Sequence, residues 1–184
     1  MESYPPSQEV VETGGQEVEC RPGETVQLKF TMRRSGTVDV DASRKAIEAL
    51  QGTWVLESYT TDGVAKSGED ESTTFHGERD TIVANRRVYR YKNTPEGIAD
   101  DDDRIPRDEI TIDATKSPSW VDSRSVNRPE GWVRLGIYKL EGDKLTICWR
   151  IGRRGMEDKI ERPKAFEAEA GSKTGLSIYN RLKP

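Results

Sequence analysis

Few residues in this chain combine a reactive type with a spacing that chemistry could use. His76 is the only histidine. A zinc centre built on histidines is therefore excluded, and any histidine-assisted serine or cysteine nucleophile must use this one side chain. It reads as a surface-loop histidine. Asp113 and Asp122 are candidates for paired carboxylates in acid–base catalysis. Both sit at strand ends beside the turn Lys116-Ser117-Pro118, a setting that better suits accepting turn N–H bonds or pairing with arginine. Asp100-Asp101-Asp102-Asp103 offers hard oxygen ligands for calcium. The run lacks the alternating spacing and central glycine of a calcium loop, so it reads as a solvated charge block. Arg150, Arg153, Arg154, Lys159, Arg162 and Lys164 surround the hairpin Ile151-Gly152-Arg153-Arg154-Gly155, next to Trp149. Basic residues beside an aromatic can hold single-stranded nucleic acid. The net charge of −4 speaks against that reading, and the cluster fits the acidic loop or a partner protein better.

The acidity is local. Residues 96–109 hold Glu96, Asp100, Asp101, Asp102, Asp103, Asp108 and Glu109 against Arg104 and Arg107, so the rest of the chain is close to neutral. Of 184 residues, 33% are hydrophobic and 34% charged, which allows one domain with a lean core. No stretch approaches the roughly 20 apolar residues of a membrane-spanning helix. Met1-Glu2-Ser3-Tyr4-Pro5-Pro6 lacks the basic start and apolar run of a signal peptide, so the chain reads as cytoplasmic or as a fragment of a longer exported protein. Cys20 and Cys148 lie far apart and form no Cys-x-x-Cys pair. A free buried thiol at Cys148 is favoured over a disulfide. No metal or cofactor is expected.

The elements that must position these groups are mostly strands. Residues 1–16 are rich in Pro, Gly, Ser and Glu and read as a flexible tail. Residues 17–43 carry alternating strands, with Val26, Leu28 and Phe30 on one face. They form an extra hairpin or the remnant of an upstream domain, since so few residues make no core alone. A short helix, capped at Asp41-Ala42-Ser43, directs Ile47 and Leu50 inward. It breaks at Gly52, where a strand over 53–60 begins. Residues 61–72 read as a long polar loop. Strands follow at 73–75, 81–83, 87–91 and 109–113, with Ala84-Asn85-Arg86 as a hairpin turn. The run 136–149 gives two alternating strands joined at Glu141-Gly142-Asp143, with Leu145, Ile147 and Trp149 on one face. Residues 176–182 form the closing strand.

Gly52-Thr53-Trp54 resembles the Gly-x-Trp opening of lipocalin-like (calycin) barrels. The runs 113–122 and 136–149 are similar to those of a lipocalin-like family common in Planctomycetes, whose members share a fold without an agreed activity. The resemblance covers about residues 47–184 and implies a further strand after Arg162-Pro163. It implies an all-β fold: a mostly antiparallel eight-stranded barrel over 44–184, with a short N-terminal helix and the extra N-terminal hairpin. It also implies that Gly52, Trp54 and Arg181 form a structural latch, with the guanidinium stacked across the indole.

Trp54, Trp120, Trp132 and Trp149 are many large rings for so lean a core. If Trp120, Tyr138, Trp149 and Phe166 face inward, they line an apolar pocket near the barrel mouth. Otherwise they fill it, because eight strands enclose room for side chains or one small ligand. The expected function is a non-catalytic binding module holding a small apolar or amphipathic ligand at Trp54, Leu56, Ile110, Ile112, Trp120, Tyr138, Leu145, Ile147, Trp149 and Phe166. The alternative is a filled-barrel protein-interaction domain acting through loop 96–109 and hairpin 150–159. An enzyme using Asp113 or Asp122 is a third, lesser reading.

Overall fold

The structure, a computed structural model, describes residues 40–127 and 131–183. The expected tail, the N-terminal hairpin and Cys20 lie outside the described residues. Helix α1 (Val40–Ala49) leads into strands β1 (Gly52–Thr61), β2 (Val64–Ser67), β3 (Arg79–Val83), β4 (Arg86–Arg90), β5 (Arg107–Asp113), β6 (Ser119–Ser125), β7 (Trp132–Glu141), β8 (Lys144–Arg153) and β9 (Gly175–Arg181). Every pairing is antiparallel. The order β1-β3-β4-β5-β6-β7-β8-β9 closes through β9 on β1, giving an eight-stranded barrel, and β2 pairs with β1 outside the ring.

Strand alternation decides what fills the barrel, because successive side chains point to opposite faces. One end is apolar. Leu50, Trp54, Leu56, Ile82, Ile110, Ile112, Val121, Tyr138, Leu145, Ile147 and Tyr179 form a single buried cluster, with Ala46 and Ile47 of α1 packed against it. The helix thus closes this end. It starts at Val40, so Asp41, Ala42 and Ser43 lie in its first turn and not ahead of it. Asp41 pairs there with Arg44 at 3.1 Å.

A latch holds the helix to the ring. Trp54, fully buried, donates from Nε1 to the Leu50 carbonyl at 2.9 Å. The Arg181 guanidinium carbon sits 4.1 Å from the indole centroid, and its Nη2 donates to the Ala49 carbonyl at 2.8 Å. A cation at the carbonyl end of a helix is favourable, and stacking on indole adds about 0.5–2 kcal/mol. Gly52 has φ +118°, and a Cβ there would lie 3.1 Å from Arg181 Nη1. Glycine at this position leaves room for the guanidinium.

Three local expectations change. Residues 73–75 form turns and no strand, while part of the expected loop 61–72 folds back as β2. The stretch after Arg162-Pro163 is coil. It is a strap held to the outside of the barrel: Arg162 bonds Asp122 of β6, and Cys148 Sγ of β8 donates to the Glu167 carbonyl at 3.3 Å. Beneath the strap the paired residues Ile137 and Cys148 are 1% and 0% exposed, so a second apolar layer lies outside the ring.

Candidate functional site

Beyond the apolar end, the lumen turns polar. Alternation brings Asp80 of β3, Arg87 and Tyr89 of β4, Asp108 of β5, Ser123 of β6, Arg134 of β7 and Tyr179 of β9 to the inner face, and Glu78 enters just before β3. Glu78, Asp80, Arg87, Asp108 and Ser123 are all buried. Ionised groups are costly in such a place unless paired and hydrogen-bonded.

Arg87 forms an ion pair with Asp80. Its Nε donates to Asp80 Oδ2 at 2.8 Å, its Nη2 donates to the same oxygen, and Nη2 also reaches the Tyr179 hydroxyl at 2.8 Å. Asp80 Oδ1 is buried with no hydrogen-bond partner. Arg134 Nη1 donates to Asp108 Oδ2 at 2.6 Å, an oxygen that also accepts from Tyr89 at 2.6 Å and from Ser123. Tyr179 donates to Glu78 Oε1 at 2.8 Å. The guanidinium of Arg87 lies over the rings of Tyr89 and Tyr179, at 4.7 and 5.4 Å.

Burial pushes the Glu78 carboxyl up to about 8, and neighbouring Asp80 adds to the rise. Burial also pushes Asp80 upward, opposed by Arg87. The Arg87 fork neutralises Asp80, so the proton shared by the two carboxyls rests on Glu78. Burial raises the Tyr89, Tyr91 and Tyr179 hydroxyls well above their ordinary range, which keeps them neutral donors.

Aromatic rings close the open end over this cluster. Tyr59 of β1 meets Phe75 of the loop 68–78 at 4.7 Å and stacks on Trp149 of β8 at 6.1 Å between centroids. Trp149 Nε1 donates to Ser177 Oγ at 3.4 Å. Between the rings and the charged layer lies a cavity of about 20 Å3, lined by Tyr59, Phe75, Glu78, Arg87, Arg134 and Trp149 among others. It has room for about one water. Phe75 is half-buried on a segment of turns, and it is the plug of this end.

The residues expected to bind ligand divide by position. Trp54, Leu56, Ile110, Ile112, Tyr138, Leu145 and Ile147 belong to the buried cluster, and Trp149 packs against it. Only Leu56 and Trp149 border the cavity. Trp120 and Phe166 do not face the lumen. Val121 takes the inward position on β6, leaving Trp120 outside, 37% exposed, beneath Arg162 at 4.3 Å and Lys116 at 5.1 Å. Phe166 lies on the strap under Lys139 at 5.6 Å. With Tyr138 it borders a surface groove of about 450 Å3 next to α1 and Pro118.

The other candidate groups have local partners. Asp113 Oδ1 accepts from the Thr115 N–H at 3.0 Å, and Asp122 Oδ2 accepts from Arg162 Nη2 at 2.9 Å. His76 faces Glu69 at 3.8 Å. In the acidic loop Asp100, Asp102 and Asp103 pair with Arg90, Arg104 and Arg107. In the basic region Arg150 and Lys164 share Glu161. β8 runs to Arg153 and leads into the strap, so residues 150–159 form no hairpin, and among the described residues no ion pair joins the basic cluster to the acidic loop. Among the described residues no three His, Cys, Asp or Glu side chains group to hold a metal ion, and no helix is long and apolar enough to cross a membrane.

The charged layer escaped sequence reasoning, although a signal existed. Asp80-x-Ile82, Arg87-x-Tyr89 and Asp108-x-Ile110 each put a charge on the same face as a core residue. No protein-family model, curated protein or solved structure gives a significant match to the chain.

Proposed function

We propose that this protein is a non-catalytic binding module, a lipocalin-like barrel that takes one small amphipathic ligand at the open end of its lumen. The apolar part of the ligand stands against Tyr59, Phe75 and Trp149, and its polar part meets the layer of Glu78, Arg87 and Arg134. One observation carries the reading: a buried charged cluster with an unpartnered carboxylate oxygen lies directly below a plug of aromatic rings. Convergent polar groups beneath an apolar entrance are the usual make-up of a small-molecule site. The space of about 20 Å3 belongs to the closed form, so binding displaces Phe75. The closed ring and the Trp54–Arg181 stack support kinship with lipocalin-like barrels, and we extend that to the family common in Planctomycetes.

Titrating fatty acids, retinoids and hydrophobic dyes while following tryptophan emission tests the reading, with Trp149→Phe as the control. Saturable quenching that disappears in the control supports it. Saturable quenching that persists in the control puts the ligand elsewhere and overturns it.

The small lumen also favours a second reading, a filled-barrel interaction domain. Ile151 near the end of β8 and Met156 just after it are 44% and 47% exposed among basic residues, which gives a partner apolar contacts within a charged rim. Association through these charges weakens as salt rises, whereas lumen binding of a neutral amphiphile does not.

A further inference from the structure

The charge count of the lumen is unbalanced. Two guanidinium groups, Arg87 and Arg134, face three carboxyls, Glu78, Asp80 and Asp108. Arg87 answers Asp80 and Arg134 answers Asp108. Glu78 forms no ion pair among the described residues, and its carboxyl accepts a hydrogen bond from the Tyr179 hydroxyl. Asp80 Oδ1, on the same strand face two residues away, lacks a donor. With every carboxyl ionised the layer carries one excess negative charge in a medium of low dielectric, where an uncompensated charge is expensive. One added positive charge cancels it.

In the empty barrel that charge is a proton, since burial holds the Glu78 carboxyl protonated up to about pH 8. A ligand with a positive head can take the proton's place and leave the layer neutral. An anionic head would make the layer negative again and require a second proton. The rings at the cavity also prefer a cation, because aromatic faces attract positive charge. Arg134 opposes this near Trp149, which lies 5.5 Å from its guanidinium carbon, but Arg134 is already committed to Asp108 and Tyr89. Arg87 reaches the Tyr179 hydroxyl at 2.8 Å but is spent on Asp80, so the position left for a further cation is beside the Glu78 carboxyl. The cavity of about 20 Å3 suits a head the size of water, and an ammonium group is about that size.

We propose that the lumen binds small primary amines: the ammonium head pairs with Glu78 and displaces its proton to solvent, and the organic part rests against Tyr59, Phe75 and Trp149. The exchange balances, one ammonium entering and one proton leaving Glu78. Tyr89, Tyr91 and Tyr179 stay neutral through it, and His76 on the loop above faces Glu69 at 3.8 Å. This inference rests on the open-end binding site proposed above and adds the charge of its ligand.

Three probes of nearly one shape and different charge separate the two ideas: benzylamine, benzyl alcohol and benzoate, titrated calorimetrically into the full chain at pH 7 and into its Phe75→Ala variant. Repeating the benzylamine titration in buffers of different ionisation heat counts protons in the wild-type protein, which makes the test independent of any variant's folding. The expected result is tightest binding of benzylamine with release of roughly one proton. Glu78→Gln should weaken benzylamine by roughly tenfold or more, as for loss of a charge-assisted hydrogen bond, and abolish the proton release that accompanies its binding. Equal or tighter binding of benzyl alcohol or benzoate, or amine binding without proton release, overturns the amine inference and leaves the binding site standing. Failure of all three probes on both proteins overturns both.

Discussion

Both hydrogen bonds from Arg87 to Asp80 end on one carboxylate oxygen, Oδ2, and Oδ1 of the same group is buried without a partner. A pair that existed only to hold the barrel together would use both oxygens, as fork-to-fork arginine–carboxylate contacts commonly do. Here the charged layer remains one donor short next to a carboxyl that has no cation of its own.

Breaking the pair from one side should be costly. Asp80→Asn removes the oxygen charge on which both Arg87 bonds end, which Glu78 can replace only by giving up its proton, and the expected loss is about 1.5–3 kcal/mol. The double change Asp80→Asn with Arg87→Met should recover part of that loss in urea denaturation. A double variant as unstable as the sum of the singles would contradict the pairing.

Stability should fall as pH rises across the neutral range. The unfolded Glu78 carboxyl ionises near 4.5, but the folded one keeps its proton up to about 8. The folded state thus binds a proton that the unfolded chain has lost, and its stabilisation, complete below 4.5, disappears as pH climbs to about 8. Asp80 is shifted in the same direction. Thermal midpoints measured from pH 5 to 8.5 should decline, and Glu78→Gln should flatten the decline. A wild-type midpoint that rises over this interval would show that Glu78 is already ionised.

Arg181→Ala removes the stack on Trp54 and the bonds to the carbonyl end of α1. The expected cost is about 1–3 kcal/mol, read as a lower urea midpoint. Arg181→Lys should restore little, because an ammonium has no planar face to lay on the indole. Full rescue by lysine would reduce the latch to simple charge.

Cys148 should be inert until the barrel opens. Its thiol is fully buried, and that burial pushes its pKa up. In a Cys20→Ser background a thiol reagent should label the native protein slowly and the urea-unfolded protein at once. Rapid native labelling would mean that the strap over β8 lifts readily.

Most of the strands and their turns were legible because period-two alternation and turn residues act locally. Ala84-Asn85 and Gly142-Asp143 mark hairpins, and Leu145, Ile147 and Trp149 announce an inner face. The strap 154–174 was not legible, because Arg162 and Glu167 are fixed by distant Asp122 and Cys148 and not by any local pattern. Large rings also misled: Trp120 is out because Val121 is in, a register that composition does not reveal. The charged layer was hidden for a related reason. A charge within a strand is ordinarily read as solvent-facing, and only its partners, such as Asp80 for Arg87 or Asp108 for Arg134, make an inner position tolerable.

The open-end site can be tested through the four tryptophans, whose indole N–H resonances each report a different place. Trp54 lies at the helix-capped end, Trp120 on the outer face, Trp132 at the start of β7 and Trp149 at the aromatic plug. In a nitrogen–proton correlation spectrum recorded during titration with benzylamine or with a hydrophobic amphiphile, binding at the open end should shift the Trp149 signal saturably and leave Trp120 in place. Movement of Trp120 with Trp149 unchanged, or no movement of any indole in either wild-type protein or Phe75→Ala, would contradict it.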